Sequence, residues 1–172
     1  MTTQTLVYRD DVTRYFLDTE FMEDGKTIDL ISIGLVCEDG REYYAINQEA
    51  KLHKANPWVR QNVLPQLPKH GDPMWKSKAT IAAEVLLFLT PLHKYQPELW
   101  AYYADYDWVV FCQLYGRMID LPSKLPMYCM DLKQHSVMLG SPTHPTQPAD
   151  KAHDALEDAR WNASLFKFLK AP

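Results

Sequence analysis

The alternation of hydrophobic and polar residues predicts three β-strands in the first third of the chain. Aromatic and apolar residues fill residues 13–20 until two acids interrupt them, and apolar residues also dominate residues 27–36. Residues 41–46 are the third predicted strand, and Glu38-Asp39-Gly40 before them has the composition of a hairpin turn. Three strands joined by short connections predict a sheet that begins antiparallel.

Helical spacing of apolar residues replaces this pattern further along the chain. It predicts a helix over residues 56–64, with Pro57 at the first position, and a second over residues 77–89, with Ser77 as N-cap. Towards the C-terminus the pattern predicts a strand over residues 98–103 and then a helix over 107–118, with Phe111, Leu114 and Met118 on its buried face. A short strand over residues 127–130 and a helix over 155–169 follow. The last helix has an apolar stripe formed by Leu156, Ala159, Ala163, Phe166 and Leu169.

This order of elements predicts an α/β fold. Strands first, followed by alternating helices and strands, indicate a mixed β-sheet flanked by α-helices. The length of 172 residues suits one core, so we expect a single domain over residues 13–172 and a flexible N-terminal arm over residues 1–12. Residues 141–150 contain three prolines and are expected to form a loop.

Composition narrows the class of protein. Glu84 interrupts the longest apolar stretch, over residues 81–89, which is far shorter than the ~18–20 residues of a membrane span. The first residues have no apolar signal-peptide core, so we expect a cytoplasmic protein. Cys37, Cys112 and Cys129 form no CxxC pair, which indicates reduced thiols rather than a zinc site.

The net charge of −4 argues against a protein that grips a long nucleic-acid duplex by its phosphates. Carboxylates that bind metal ions contribute to this negative count and are offset when the ions arrive. The charge therefore leaves open a pocket that accepts a short single-stranded end.

Asp18 and Glu20 end the first predicted strand. Residues i and i+2 of a strand share a face, so the two carboxylates would stand side by side. They repel each other unless a cation lies between them, and Mg²⁺ or Mn²⁺ is a hard ion that prefers such oxygen ligands. Taken alone, this motif is weak, because a solvated strand end has the same residues.

Asp107 lies near the start of the helix predicted in the middle of the chain. It shares a face with Phe111 and Leu114, so it would point inward, where a carboxylate needs a partner. Asp105 is the competing acid two residues earlier. A helix start often carries an aspartate as a simple cap, and that role suits Asp105 better.

A third group of candidates opens the last helix. Asp154 and Glu157 have capping-box spacing, so His153 would lie just before the helix and Asp158 one turn inside it. This arrangement suits a movable general base beside a fixed metal ligand, while a surface histidine and a solvated acidic turn explain the same residues. We expect the loop over residues 141–150 to be mobile without substrate, and His153 to swing toward the metals when substrate binds.

The three groups together resemble the exonuclease motifs of the DEDDh family: D-x-E on the first strand, Y-D at a mid-chain helix and H-x₄-D at the last helix. This family contains oligoribonuclease, RNase T and proofreading exonuclease subunits and has an RNase H-like fold. The segments RYFLDTEFMEDGKTIDLISIG, PWVRQNVLPQLP, YDWVVFCQLYGRMIDLP and HDALEDAR are also similar to small bacterial and phage 3′–5′ exoribonucleases of the mycobacterial, polyadenylate-specific type.

The resemblance implies a homodimeric enzyme that releases nucleoside 5′-monophosphates from the 3′ end of single-stranded RNA. Phe21 and Met22 directly follow the D-x-E motif and are expected to pack against the terminal base. His153 is implied as the general base. Two Mg²⁺ ions, with Mn²⁺ as the alternative, would be held by Asp18, Glu20, Asp107 and Asp158, of which Asp18 would bridge both.

Three other functions fit parts of this pattern. A DNA-directed 3′–5′ exonuclease would have the same fold and acids, since RNA preference depends on a contact to the 2′-hydroxyl that the sequence does not identify. A catalytically inactive nucleic-acid-binding module on the same fold would not need its metal ligands. An unrelated metalloprotein would require the whole ordered set to be accidental.

Overall fold

The computed structural model describes residues 8–91, 95–147 and 152–170, which form a mixed sheet of six strands with helices packed on both faces. The strands are β1 (Val12–Glu23), β2 (Ile28–Cys37), β3 (Glu42–Asn47), β4 (Trp75–Lys76), β5 (Gln96–Ala101) and β6 (Met130–Asp131). The helices are α1 (Pro57–Asn62), α2 (Lys78–Leu89), α3 (Ala104–Gln113), α4 (Leu132–Met138) and α5 (Ala155–Lys170).

The sheet begins antiparallel and continues in parallel, as the sequence predicts. Its strand order is β4-β3-β2-β1-β5-β6, with antiparallel pairing of β1 to β2 and of β2 to β3. The remaining pairs are parallel. The hairpin turn at residues 38–40 is confirmed, and Gly40 adopts a φ of 94°, which a glycine allows without strain.

Alternating residues of β1 and β2 supply two cores, one on each face of the sheet. Both strands are therefore apolar almost throughout, which is typical of strands that are covered on both sides. One core packs against α2 and α3 and includes Tyr15, Leu17, Ile33, Leu35, Ile81, Val85 and Phe111. The other packs against α4 and α5 and includes Phe16, Val36, Trp100, Leu132, Ala159, Ala163, Phe166 and Leu169.

Three predicted helix starts are confirmed by their hydrogen bonds. The side chain of Asn56 accepts from the N–H of Val59 ahead of Pro57, and Ser77 accepts from the N–H of Thr80. Asp154 accepts from two N–H groups at the start of α5. Each cap satisfies donors that a helix start leaves without an intrahelical partner.

The mid-chain helix differs from its predicted bounds. It begins at Ala104 and ends at Gln113, because Gly116 takes a left-handed φ of 110° and turns the chain away. The prediction that Met118 lies on its buried face is wrong, since Met118 is 53% exposed in a short 3₁₀ turn. The short strand predicted over residues 127–130 is shifted to Met130–Asp131.

The end of the predicted N-terminal arm is packed against the domain. Val12 already belongs to β1, and the hydroxyl of Tyr8 hydrogen-bonds Nε2 of His135 at 2.8 Å. The Tyr8 ring also meets the Phe166 ring edge-on. The earlier part of the arm lies outside the described residues, and so do residues 148–150 of the predicted proline-rich loop. None of the helices in the described ranges is long and apolar enough to cross a membrane.

Candidate metal centre and active site

A glycine in β2 allows the last helix to approach the first strand. Gly34 pairs with Asp18, and a Cβ atom at Gly34 would lie 2.1 Å from the carbonyl oxygen of Ala155. Backbone atoms cannot move aside as a flexible side chain can, so a larger residue would displace the start of α5. The close approach brings His153 and Asp158 to the acidic end of β1.

Asp18 and Glu20 lie on the same face of β1, as predicted. Glu20 is 8% exposed, and a bulge directly after it shifts the register of the pairing with β2. Burial raises the pKa of Glu20 to about 8, and the charges of Asp158 and Asp107 add to the rise. Burial and the same neighbouring acids also raise the pKa of Asp18 well above its ordinary value. Burial and mutual repulsion therefore both disfavour the ionised forms of these two acids.

Asp107 reaches the same region from α3. It is 5% exposed, and its Oδ1 accepts hydrogen bonds from the N–H of Thr19 at 2.8 Å and from Oγ1 of Thr19 at 2.6 Å. Burial raises the pKa of Asp107 to about 7, although the two bonds from Thr19 oppose this rise. These bonds tie the acid to the strand between Asp18 and Glu20.

The hypothesis that Asp105 caps this helix is wrong. Asp105 is exposed at the second helical position, and the residue at the N-cap is Tyr103, which has a left-handed φ of 59°. The N–H of Ala104 is bound instead by Oδ2 of Asp131, at 2.7 Å. This cap comes from β6, a different part of the sequence, so the local pattern gave no sign of it.

His153 and Asp158 complete the cluster. The backbone N–H of His153, which has a φ of 69°, donates to Oδ2 of Asp158 at 3.1 Å. Glu20, His153 and Asp158 can each offer a ligand atom such that these atoms all lie within 4.8 Å of one another. Burial raises the pKa of Asp158 to about 6, and the N–H and charge of His153 oppose the rise.

Two neighbours of this cluster were not predicted from the sequence. The ring of Trp58, on α1, meets the His153 ring edge-on, with centroids 4.8 Å apart. The side-chain amide of Gln147 donates to Oδ1 of Asp158. The Trp58 contact joins segments that are far apart in the sequence, and the Gln147 contact joins residues 11 positions apart.

Phe21 and Met22 lie beside the cluster but on opposite faces of β1, as strand alternation requires. Phe21 stacks on Tyr106 of α3, with ring centroids 5.7 Å apart and planes 7° from parallel. Met22 packs under α1 with Ile31 and Val59. Both remain partly exposed, and their contact with a terminal base stays a prediction.

The residues of this site fit divalent metal ions. Within residues 8–91, 95–147 and 152–170, no lysine or arginine forms an ion pair with Asp18, Glu20, Asp107 or Asp158. An ionised, buried carboxylate without such a partner destabilises the fold unless a cation balances its charge. Their oxygen atoms are the ligands that Mg²⁺ and Mn²⁺ prefer.

Known proteins are similar to this chain in fold and in sequence. Among solved structures, the fold is similar to Pop2p of S. pombe in its Mg²⁺- and Mn²⁺-bound form, with a TM-score of 0.63 at 16% identity over 91% of this chain and 82% of that one. A 3′-exonuclease that recognises the 3′ end of a histone mRNA stem-loop gives 0.58 at 12% identity, over 94% and 64%. The mixed sheet is thus the expected RNase H-like fold.

Sequence comparison gives the family. The chain is 46% identical over 156 residues to the 3′-5′ exoribonuclease Rv2179c of Mycobacterium tuberculosis strain H37Rv, covering 91% of this chain and 92% of that protein. A 3′-5′ exoribonuclease of strain CDC 1551 matches to the same extent. The model of the 3′-5′ exoribonuclease Rv2179c-like domain matches residues 13–169. The chain therefore belongs to the Rv2179c-like family of 3′-5′ exoribonucleases.

Proposed function

We propose that this chain removes nucleoside 5′-monophosphates from the 3′ end of single-stranded RNA by two-metal-ion hydrolysis. The observation that carries the proposal is the convergence of Glu20, His153 and Asp158, which come from opposite ends of the sequence to within 4.8 Å. The names of its M. tuberculosis relatives, both 3′-5′ exoribonucleases, support the direction and the substrate.

Four carboxylates would hold the two Mg²⁺ ions, or Mn²⁺ in their place: Asp18, Glu20, Asp107 and Asp158. When bound, such ions supply an activated water and stabilise the leaving oxygen. The protein's own contribution is to fix the carboxylates before the ions bind. Thr19 does so for Asp107 through two hydrogen bonds, and β1 does so for Asp18 and Glu20.

His153 is proposed as the general base that takes the proton from the attacking water. Its backbone N–H donates to Asp158, while its ring lies against the half-exposed ring of Trp58. A general base must lie within hydrogen-bond reach of the water, directly or through one further water. The short distances among Glu20, His153 and Asp158 support this role.

Phe21 and Met22 are proposed to contact the terminal base. Apolar and aromatic side chains bind bases without regard to their identity, because every base offers a flat face. Both side chains lie just past Glu20 and retain exposed surface.

The test compares 5′-labelled RNA and DNA oligonucleotides of one sequence, incubated with Mg²⁺ or with EDTA. The expected result is a ladder that shortens from the 3′ end on RNA, needs Mg²⁺, and is lost in Asp158→Asn. Equal degradation of DNA would point to a DNA-directed exonuclease. RNA binding without cleavage would identify an inactive binding module.

We also propose a homodimer in the cytoplasm. Exposed apolar side chains at Met127, Tyr128, Val137 and Met138 flank the short edge strand β6, and protein interfaces favour methionine and aromatic residues. The cysteines of the chain are free thiols, which suits a reducing compartment. Light scattering of the wild type and of Met138→Glu tests the dimer, and cell fractionation tests the location. A monomeric wild type at micromolar concentration would contradict the dimer.

A further inference from the structure

Two hydrogen-bond donors hold the carboxylate of Asp158, and both lie before the first turn of α5. The side-chain amide of Gln147 donates to Oδ1, and the backbone N–H of His153 donates to Oδ2. An ionised carboxylate has about four lone-pair sites, so each oxygen keeps one site for a metal ion. The two donors therefore restrict the rotation of the carboxylate without blocking it.

Gln147 extends from a segment that is itself held in place. Nε2 of His144 hydrogen-bonds Oγ of Ser136 at 2.7 Å, which ties the segment to α4. Nε1 of Trp161 donates to the carbonyl oxygen of Pro145 at 3.0 Å, which ties it to α5. These two hydrogen bonds hold the backbone just before Gln147 next to α4 and α5.

We infer that Gln147 is a positioning residue, whose amide orients the Asp158 carboxylate toward the metal ions and so sets their affinity. The inference rests on the proposed function, in which Asp158 is a metal ligand. Removing a group that is hydrogen-bonded to a metal ligand lowers metal affinity by about 10–100-fold.

If Gln147 instead competed with the metal ions, its removal would change metal affinity in the opposite direction. If the amide of Gln147 occupied the position of an ion, metal binding would have to displace it, and its removal would strengthen metal binding. A variant that keeps the shape of the side chain but loses the donor separates the two roles. Gln147→Met has nearly the same length and cannot donate.

The test measures Mn²⁺ binding to RNA-free protein by calorimetry and the Mg²⁺ dependence of RNA degradation. The matched control is Gln113→Met, at an exposed position at the end of α3. We expect Gln147→Met to weaken Mn²⁺ binding by about 10-fold or more and to raise the half-saturating Mg²⁺ concentration by a similar factor. Activity at saturating Mg²⁺ should recover to near the wild-type kcat, and Tm in EDTA should equal that of the control.

Three results would overturn the positioning role. They are Mn²⁺ affinity equal to the wild type, Mn²⁺ affinity higher than the wild type, and a loss of affinity that comes with an equal loss of Tm in EDTA. Asp158→Asn shows whether a failure lies in the proposed metal site or in the role of Gln147. If Asp158→Asn binds Mn²⁺ as the wild type does, the metal site itself is wrong, and the role of Gln147 falls with it.

Discussion

The two sides of the active site are built in different ways. On the sheet side, Asp18 and Glu20 lie on a central strand, and Asp107 is tied to that strand by two hydrogen bonds from Thr19. On the loop side, His153 lies just before α5 and itself has a left-handed backbone conformation. Among the described residues, its backbone N–H donates to Asp158 and its ring contacts Trp58.

The difference follows from what each side must do. Acids that repel one another stay close only where backbone hydrogen bonds fix them, and such rigidity lets ions bind without rearrangement. A general base must meet the attacking water and also let the substrate enter and the product leave. We therefore expect His153, which lies outside the sheet, to shift at lower cost than a residue on a central strand.

Removing a carboxylate from either side should give the largest effect. We expect Asp18→Ala and Asp158→Ala to lower kcat by ~1000-fold or more, because the ions lose a ligand. Tm in EDTA should not fall, because burial disfavours the ionised form of each acid that is removed. Asp10→Ala, at an exposed acid, is the control. A variant at position 18 or 158 that keeps full activity would contradict the ligand assignment.

A second test separates two acids on one helix. Asp107→Asn keeps an oxygen that can accept from Thr19 but loses its charge, so we expect a loss of ~100-fold or more in kcat. Asp105→Asn should stay within about twofold of the wild type, because Asp105 is exposed and caps nothing. Steady-state kinetics on the same RNA compares them, and the reverse ranking would show that the wrong acid was chosen.

Local signals in the sequence predicted the sheet side well. A cap residue such as Ser77 accepts a hydrogen bond from an N–H group within one turn, and the D-x-E spacing places two acids on one face of a strand. Both features depend only on residues that are neighbours in the sequence, so both can be predicted from it. The start of α3 could not be predicted, because its cap, Asp131, comes from another strand. The contacts of Trp58 and Gln147 are likewise tertiary, and no periodicity reports them.

The loop side is tested most directly by His153→Ala. We expect kcat to fall by ~100–10,000-fold, which is the usual contribution of general-base catalysis, while RNA affinity changes little because the metal ligands remain. His53→Ala, at an exposed position, serves as the control. A near-normal kcat would remove His153 from the mechanism.

The pH profile of the same variant adds a second readout. A general base acts in its neutral form, so the rate of the wild type should fall toward acid pH. We expect His153→Ala to lose this acid limb. An acid limb that the substitution leaves unchanged would mean that another group, such as one of the carboxylates, controls the profile.

A smaller effect should come from the hydroxyl that supports the sheet side. Thr19→Val removes the 2.6 Å hydrogen bond to Asp107 but keeps the backbone N–H bond and a side-chain shape that strands favour. We expect the half-saturating Mg²⁺ concentration to rise by about 10-fold and the free energy of unfolding to fall by about 1 kcal/mol. Thr13→Val, on the same strand, is the matched control. Equal Mg²⁺ dependence in the two variants would show that Asp107 needs no such support.

The smallest effect concerns the stability of the metal-free protein, and it compares the two sides within one experiment. Burial and neighbouring acids raise the pKa of Glu20 from 4.5 to about 8, whereas the pKa of Asp158 rises from 3.8 to about 6. A raised pKa means that the folded protein holds a proton that the unfolded chain releases. The stability that this proton contributes is therefore fully present below pH ~4 and is lost as the pH rises through the folded pKa.

In EDTA we expect Tm to fall by several degrees between pH 5 and pH 8, and less so with excess Mg²⁺. Glu20→Gln should flatten this dependence more than Asp158→Asn does, because its pKa is shifted further. A Tm in EDTA that stays constant over this range, or a stronger flattening by Asp158→Asn, would show that the cost of ionising the acids is not concentrated on the sheet side.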